Sequence, residues 1–131
     1  MTKKKTGRFA RVGLLVFAMA LAFAATASAA GETEPNNSLA TASPTSFGEY
    51  NWGTVSGSDV NDYWVMTNVS YGTRTLNGNS GTAMEVRDAS GNLLAYKPAG
   101  TYSVSFFGGG TLYVVASFYS STATSYSFSV N

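Results

Sequence analysis

From residue 31 onward, runs rich in Tyr, Val, Phe, Thr and Ser alternate with clusters of Gly, Asn, Asp and Ser, and no stretch repeats with a helical period. The pattern predicts eight strands, at residues 50–56, 62–69, 73–78, 83–88, 92–97, 101–106, 111–119 and 125–130. In "TLYVVASFY" the set Leu112, Val114, Ala116 and Phe118 is apolar throughout and is expected to face the core. "SYSFSV" assigns Tyr126, Phe128 and Val130 inward and its serines outward. "DYWVMTNV" has large residues on both faces, which suits a central strand and leaves its inward face open. Among the turns, "DASGN" places Gly91 where a hairpin needs positive φ, "GGG" at 108–110 is expected to separate the sixth and seventh strands, and "SSTAT" the last two. Eight short strands in about a hundred residues predict an all-β sandwich in one domain, residues 31–131.

The first thirty residues follow a different pattern. Five basic residues precede an apolar core of fourteen, residues 12–25, and Ala27-Ser28-Ala29 fits the small-x-small cleavage rule. A membrane-crossing helix needs about 20 apolar residues, so residues 1–30 read as a cleaved signal peptide and not as a retained span. The product is expected to be secreted, extracellular or cell-surface, with no membrane attachment after cleavage. The chain has no cysteine, which excludes a cysteine-borne lipid anchor at the junction.

Removing that leader reverses the charge balance. Residues 31–131 carry three bases against seven acids, a net charge of −4. Three scattered bases give phosphates no cluster to bind, so nucleic acid is not an expected partner. Small exported domains often rely on disulfides, and a bound cation is a candidate substitute in this cysteine-free chain.

Four of those seven acids fall in two short clusters. In "GETEPNNSLA" an extended backbone would point Glu32, Glu34 and Asn36 to one side. In "TVSGSDVNDYW", Asp59 and Asp62 lie in a turn just before a strand. Calcium takes six to eight oxygens in irregular geometry, whereas zinc prefers the His and Cys that are absent here. Spacing alone leaves two readings open: a calcium site, or solvated loop acids that hydrogen-bond their own turns.

The segments "ETEPNNSLATA", "GTVSGSDVNDYWVM", "EVRDASGNLLA" and "GTLYVVASFYSSTATSYSFSV" together resemble the bacterial pre-peptidase C-terminal domain, a family related to clostridial collagen-binding domains. The resemblance implies a jelly-roll-like antiparallel β-sandwich that accompanies secreted peptidases without catalysing. It also implies that the two acidic clusters meet around structural calcium. Glu32, Glu34 and Asn36 match ligands of the opening segment, Asp59 and Asp62 match ligands of the turn, and Thr54 matches a coordinating hydroxyl residue. Asn37 replaces an acid found in some members, which argues against a second ion.

Three classes of function remain. Without His or Cys there is no serine triad, cysteine nucleophile or His-ligated catalytic metal, and only carboxylate pairs such as Asp59–Asp62 or Glu85–Asp88 could serve a hydrolase. The leading expectation is a non-catalytic module that binds an extracellular polymer, protein or polysaccharide, or assists a secreted peptidase. Trp52, Tyr96, Tyr102, Tyr113 and Tyr119 are candidate contact aromatics, and in the collagen-binding relatives a late-strand tyrosine corresponds to Tyr119. A self-assembling cell-surface protein is the third class, with "TYSVSF" as an exposed edge. The sequence does not fix the oligomeric state.

Overall fold

A computed structural model describes residues 29–131. Nearly all of the expected leader lies outside those residues. Eight strands form: β1 (Ala29–Gly31), β2 (Ser43–Pro44), β3 (Tyr50–Val55), β4 (Asn61–Gly78), β5 (Ala83–Asp88), β6 (Leu93–Lys97), β7 (Ser103–Ser117) and β8 (Thr124–Val130), with one 3-10 turn at Leu39–Thr41. The count matches the expectation for a different reason. Residues 62–69 and 73–78 belong to one strand, β4, and the runs at 101–106 and 111–119 lie mostly within one strand, β7. The triglycine 108–110 is therefore inside a strand and does not separate two.

Both long strands turn a corner. Trp64 and Gly78 are fourteen steps apart on β4, about 46 Å if the strand were straight. Yet Phe128, the register partner of Gly78, meets the Trp64 ring edge-on at a centroid distance of 5.5 Å. β4 therefore doubles back, and its register with β7 slips on either side of Val69, where Asn68 has φ 58° and Gly110 φ 74°. Bulges bend a strand in this way, and glycine permits the close approach. At Gly109 a Cβ would stand 2.7 Å from the Tyr71 backbone.

The corner converts one hydrogen-bonded path, β1-β3-β8-β4-β7-β5-β6, into two layers. One layer holds β1, β3, β8 and the halves of β4 and β7 around residues 72–78 and 103–108. The other holds the halves around 61–66 and 112–117 with β5, β6 and the short β2. Pairing is antiparallel except where β1 joins β3 and β2 joins β4. Between the layers lie Leu112, Val114 and Ala116 from β7, Tyr126, Phe128 and Val130 from β8, and Trp64 and Met66 from β4. The inward sets read from alternation on β7 and β8 are thus correct, with Phe118 packed at the margin. Trp64 and Met66 settle the inward face of β4.

Lys97 is fully buried in this frame, and its Nζ donates to the carbonyls of Asn79, Thr82 and Thr101, each at 2.9 Å. Three charge-assisted bonds satisfy the ammonium and fasten two loops to β6. Burial nonetheless pulls its pKa below the ordinary lysine value. The expected hairpin at Gly91 also forms, with φ 81°. Asp88 closes it by accepting from the Ser90 and Asn92 backbone amides at 2.9 Å, and these bonds with the Asn92 side chain hold its carboxyl below the usual range.

Candidate metal site

The N-terminal segment crosses from one layer to the other. Its backbone bonds first to β3, where Glu32 N donates to Trp52 O, and then to β4, where Tyr63 N donates to Asn36 O. Ser43 ties the crossing together by accepting from Thr33 N at 3.0 Å and donating to Thr33 O at 3.1 Å. The Glu34–Pro35 peptide is cis. This path carries Glu32 and Glu34 to the start of β4, where Asp62 takes the inward phase of the strand and is fully buried.

Oxygens of Glu32, Glu34 and Asp62 all lie within 4.8 Å of one another. Two oxygens on one calcium ion at 2.3–2.6 Å can be no more than about 5 Å apart, so the spacing suits a shared ion. Asp62 Oδ2 is buried with no hydrogen-bond partner. Burial, reinforced by Glu32 and then Asp59, pushes Asp62 up to about 9. Desolvation, then Asp59 and Glu32, also raises Glu34 against the lowering effect of the Asn36 amide. A cluster of acids that can ionise together only at a cost is what a cation would relieve.

The Asn36 amide can face the cluster in two ways, since its oxygen and nitrogen are assigned from the hydrogen-bond network. With Nδ2 donating to Ser43 Oγ at 3.5 Å, its Oδ1 faces other acceptors. Turned over, Nδ2 donates to Asp62 Oδ1 and Glu34 Oε2, both at 3.2 Å. Hydrogen bonding alone favours the second setting, and the first turns the amide oxygen toward the carboxylate oxygens, a set that a cation would suit. Next to it, Asn37 Nδ2 reaches Asp59 Oδ1 at 2.7 Å and the Asn61 carbonyl at 3.0 Å in the equivalent setting.

Glu32 is oriented from behind by the backbone, not the hydroxyl, of Thr54 and by Tyr126, which no motif in the sequence ties to the site. Its Oε1 accepts from Thr54 N at 3.0 Å and its Oε2 from the Tyr126 hydroxyl at 2.9 Å. That hydroxyl in turn accepts from the buried Trp64 Nε1 at 2.8 Å. Burial raises the Tyr126 pKa, so it remains a neutral donor. Gly53 leaves the room required: a Cβ there would stand 2.1 Å from Glu32 Oε2 and 2.4 Å from the Tyr126 hydroxyl. The structure thus brings Glu32, Glu34, Asn36, Asp59 and Asp62 together. Thr54 meets the group through its backbone amide, and its side chain takes the exposed phase of β3. An available signal was the inward phase of Tyr126, because a buried tyrosine hydroxyl needs a partner.

The other candidates lie elsewhere. Glu85 pairs with Arg87 at 2.6 Å, and Asp88 is occupied by its turn. Tyr96 is exposed on β6, Tyr102 lies before β7 and Tyr119 beyond its end, the last two about 70% exposed. Tyr113 is half-buried on β7. No helix among the described residues is long and apolar enough to cross a membrane.

No protein-family model matches the chain, and no curated protein does. Among solved structures, the pre-peptidase C-terminal domain of collagenase from Bacillus anthracis superposes with a TM-score of 0.60 at 17% identity. The match covers 76% of this chain and all of that one. At that identity the likeness is one of architecture, and it agrees with the segments from which the sequence resemblance was read: the chain has the β-sandwich fold of a pre-peptidase C-terminal domain.

Proposed function

We propose that this chain is a secreted, non-catalytic binding or accessory module whose N-terminal segment is fastened to the sandwich by one calcium ion. The buried Asp62 carboxylate carries the reading, with one oxygen unpartnered and two further carboxylates within 4.8 Å. Glu32, Glu34, Asn36 and Asp62 would hold the ion, with Asp59 beside them. Bound calcium would supply positive charge that cancels the repulsion among these acids. Tyr126 and Thr54 orient Glu32, and Gly53 leaves space for it. Asn37 supports a single ion, because its amide can bond Asp59 and the Asn61 carbonyl, oxygens that a second cation would need. The non-catalytic reading rests on the lack of His and Cys and on Glu85 and Asp88 being engaged structurally. The partner is an extracellular polymer or a secreted peptidase.

A ligand that binds only the folded state stabilises it by about 2.7 kcal/mol at a hundredfold excess over Kd. For a domain this size that raises the thermal midpoint by on the order of 10 °C. We expect such a shift between chelator and calcium, and Asp62→Asn should abolish it while leaving the metal-free protein folded. Equal midpoints in calcium and in chelator would remove the calcium part of the proposal.

A further inference from the structure

We infer that the outer face of the layer formed by β3, β8 and the second half of β4 binds a neutral polysaccharide, with Tyr50 and Trp52 as stacking platforms and Asn77, Ser127 and Ser129 as hydrogen-bonding partners. The inference rests on the binding-module reading above but not on the calcium clasp.

Strict alternation on β3 buries Asn51, Gly53 and Val55 and leaves Tyr50 51% and Trp52 53% exposed on one face. Trp52 is seated. A Cβ on Gly31 would stand 2.9 Å from its Cζ2 and 3.3 Å from Cε2 and Cη2, so the indole rests against the β1 backbone at a position where only glycine leaves room. Half of the side chain still meets solvent. In register beside it, Trp52 pairs with Ser127 on β8, and Ser129 pairs with Asn77 on β4. Tyr50, Asn77, Asn79, Ser127 and Ser129 line a groove of about 260 Å³. Neither the Asn77 amide nor the Ser127 hydroxyl has a hydrogen-bond partner among the described residues.

The composition of this face selects the ligand class. Outward positions on β3, on β8 and along 73–77 and 103–107 hold only Ser, Thr, Asn, Tyr, Trp and Phe, with no charged residue. Phosphate, sulfate or carboxylate groups would find no Lys or Arg to bind. A protein partner would favour a broad continuous apolar centre, whereas here the adjacent Tyr50 and Trp52 are bordered by serine and threonine hydroxyls and the Asn77 amide. A pyranose ring fits both features. Its C–H faces are attracted to the electron-rich face of an aromatic ring, and its hydroxyls, each donor and acceptor, match serine hydroxyls and an asparagine amide.

The test is co-sedimentation of the purified protein with insoluble chitin, cellulose and collagen, alongside Trp52→Ala, Tyr50→Ala, Asn77→Ala and Leu93→Ala. Expected is retention on chitin or cellulose, weakened about tenfold by either aromatic substitution, as for a central contact residue, and less by Asn77→Ala. Leu93→Ala, on the other layer, should bind as the parent does. Near-ultraviolet circular dichroism from the buried Trp64 checks that each variant is folded. Retention on neither polysaccharide, retention on collagen alone, or polysaccharide retention that survives both aromatic substitutions would overturn the inference. Repeating the assay in chelator separates the two proposals. Retention with a calcium-insensitive thermal midpoint supports the glycan face and removes the clasp, whereas a calcium-sensitive midpoint without retention overturns the glycan face and keeps the clasp.

Discussion

Tyr126 joins the core to the acidic cluster through a single oxygen. Its ring packs beside Phe128 at 6.5 Å, while its hydroxyl accepts from Trp64 and donates to Glu32. Tyr126→Phe keeps the ring and removes both bonds, leaving the buried Trp64 N–H without a partner. An unsatisfied buried donor costs about 1–3 kcal/mol, so urea unfolding should show a loss of that size with an unchanged m-value. A loss below about 0.5 kcal/mol would mean that solvent replaces the hydroxyl. At this scale the sequence marked the residues that the fold gathers into one cluster, since Glu32, Glu34, Asn36, Asp59 and Asp62 stand out as acids and amides in otherwise neutral turns. It did not show the support behind them. The Tyr126–Glu32 bond spans 94 residues, and no local pattern encodes a contact of that separation.

The two long strands determine where that support stands. Each was read as two strands, broken at residues 70–72 and at the triglycine, whereas both breaks fall at a corner within a continuous ladder. Period-two alternation in residues 111–119 and 125–130 gave the inward sets of β7 and β8, while the large residues on both faces of 62–69 left that half of β4 open. Which halves share a strand depends on non-local pairing, and the glycines alone fit either a loop or a close crossing. The crossing is tightest at Gly109, where Cβ would meet Tyr71 N and Cα at 2.7 Å. Gly109→Ala must push two backbones apart at the corner, and overpacking of this kind costs about 1–3 kcal/mol. Gly57→Ala is the matched control, because its nearest neighbour would be Phe118 at 3.8 Å. Denaturant midpoints should fall for the first variant and barely move for the second; equal midpoints would show that the crossing has slack.

At the level of the whole molecule, the N-terminal segment, the β3 edge and the start of β4 meet at Asp62, so protonation there is linked to folding. In the metal-free protein Asp62 is pushed up to about 9 from an ordinary value of 3.8. A raised value means that the folded state holds a proton the unfolded chain releases. The stabilisation is complete below the unfolded value, declines as pH rises from there, and is lost as pH passes through about 9. In chelator, stability should therefore fall between mildly acidic and alkaline pH. Calcium requires the carboxylate, so Asp62 must give up that proton when the ion binds, and below about pH 9 the apparent affinity should rise by up to tenfold per pH unit for one displaced proton. Titration calorimetry in buffers of different ionisation enthalpy measures the release directly. About one proton per ion near pH 7, together with a calcium-induced rise in midpoint that widens as pH increases, fits a clasp in which Asp62 exchanges a proton for the metal. An affinity independent of pH, with no proton released, would place the ion away from Asp62.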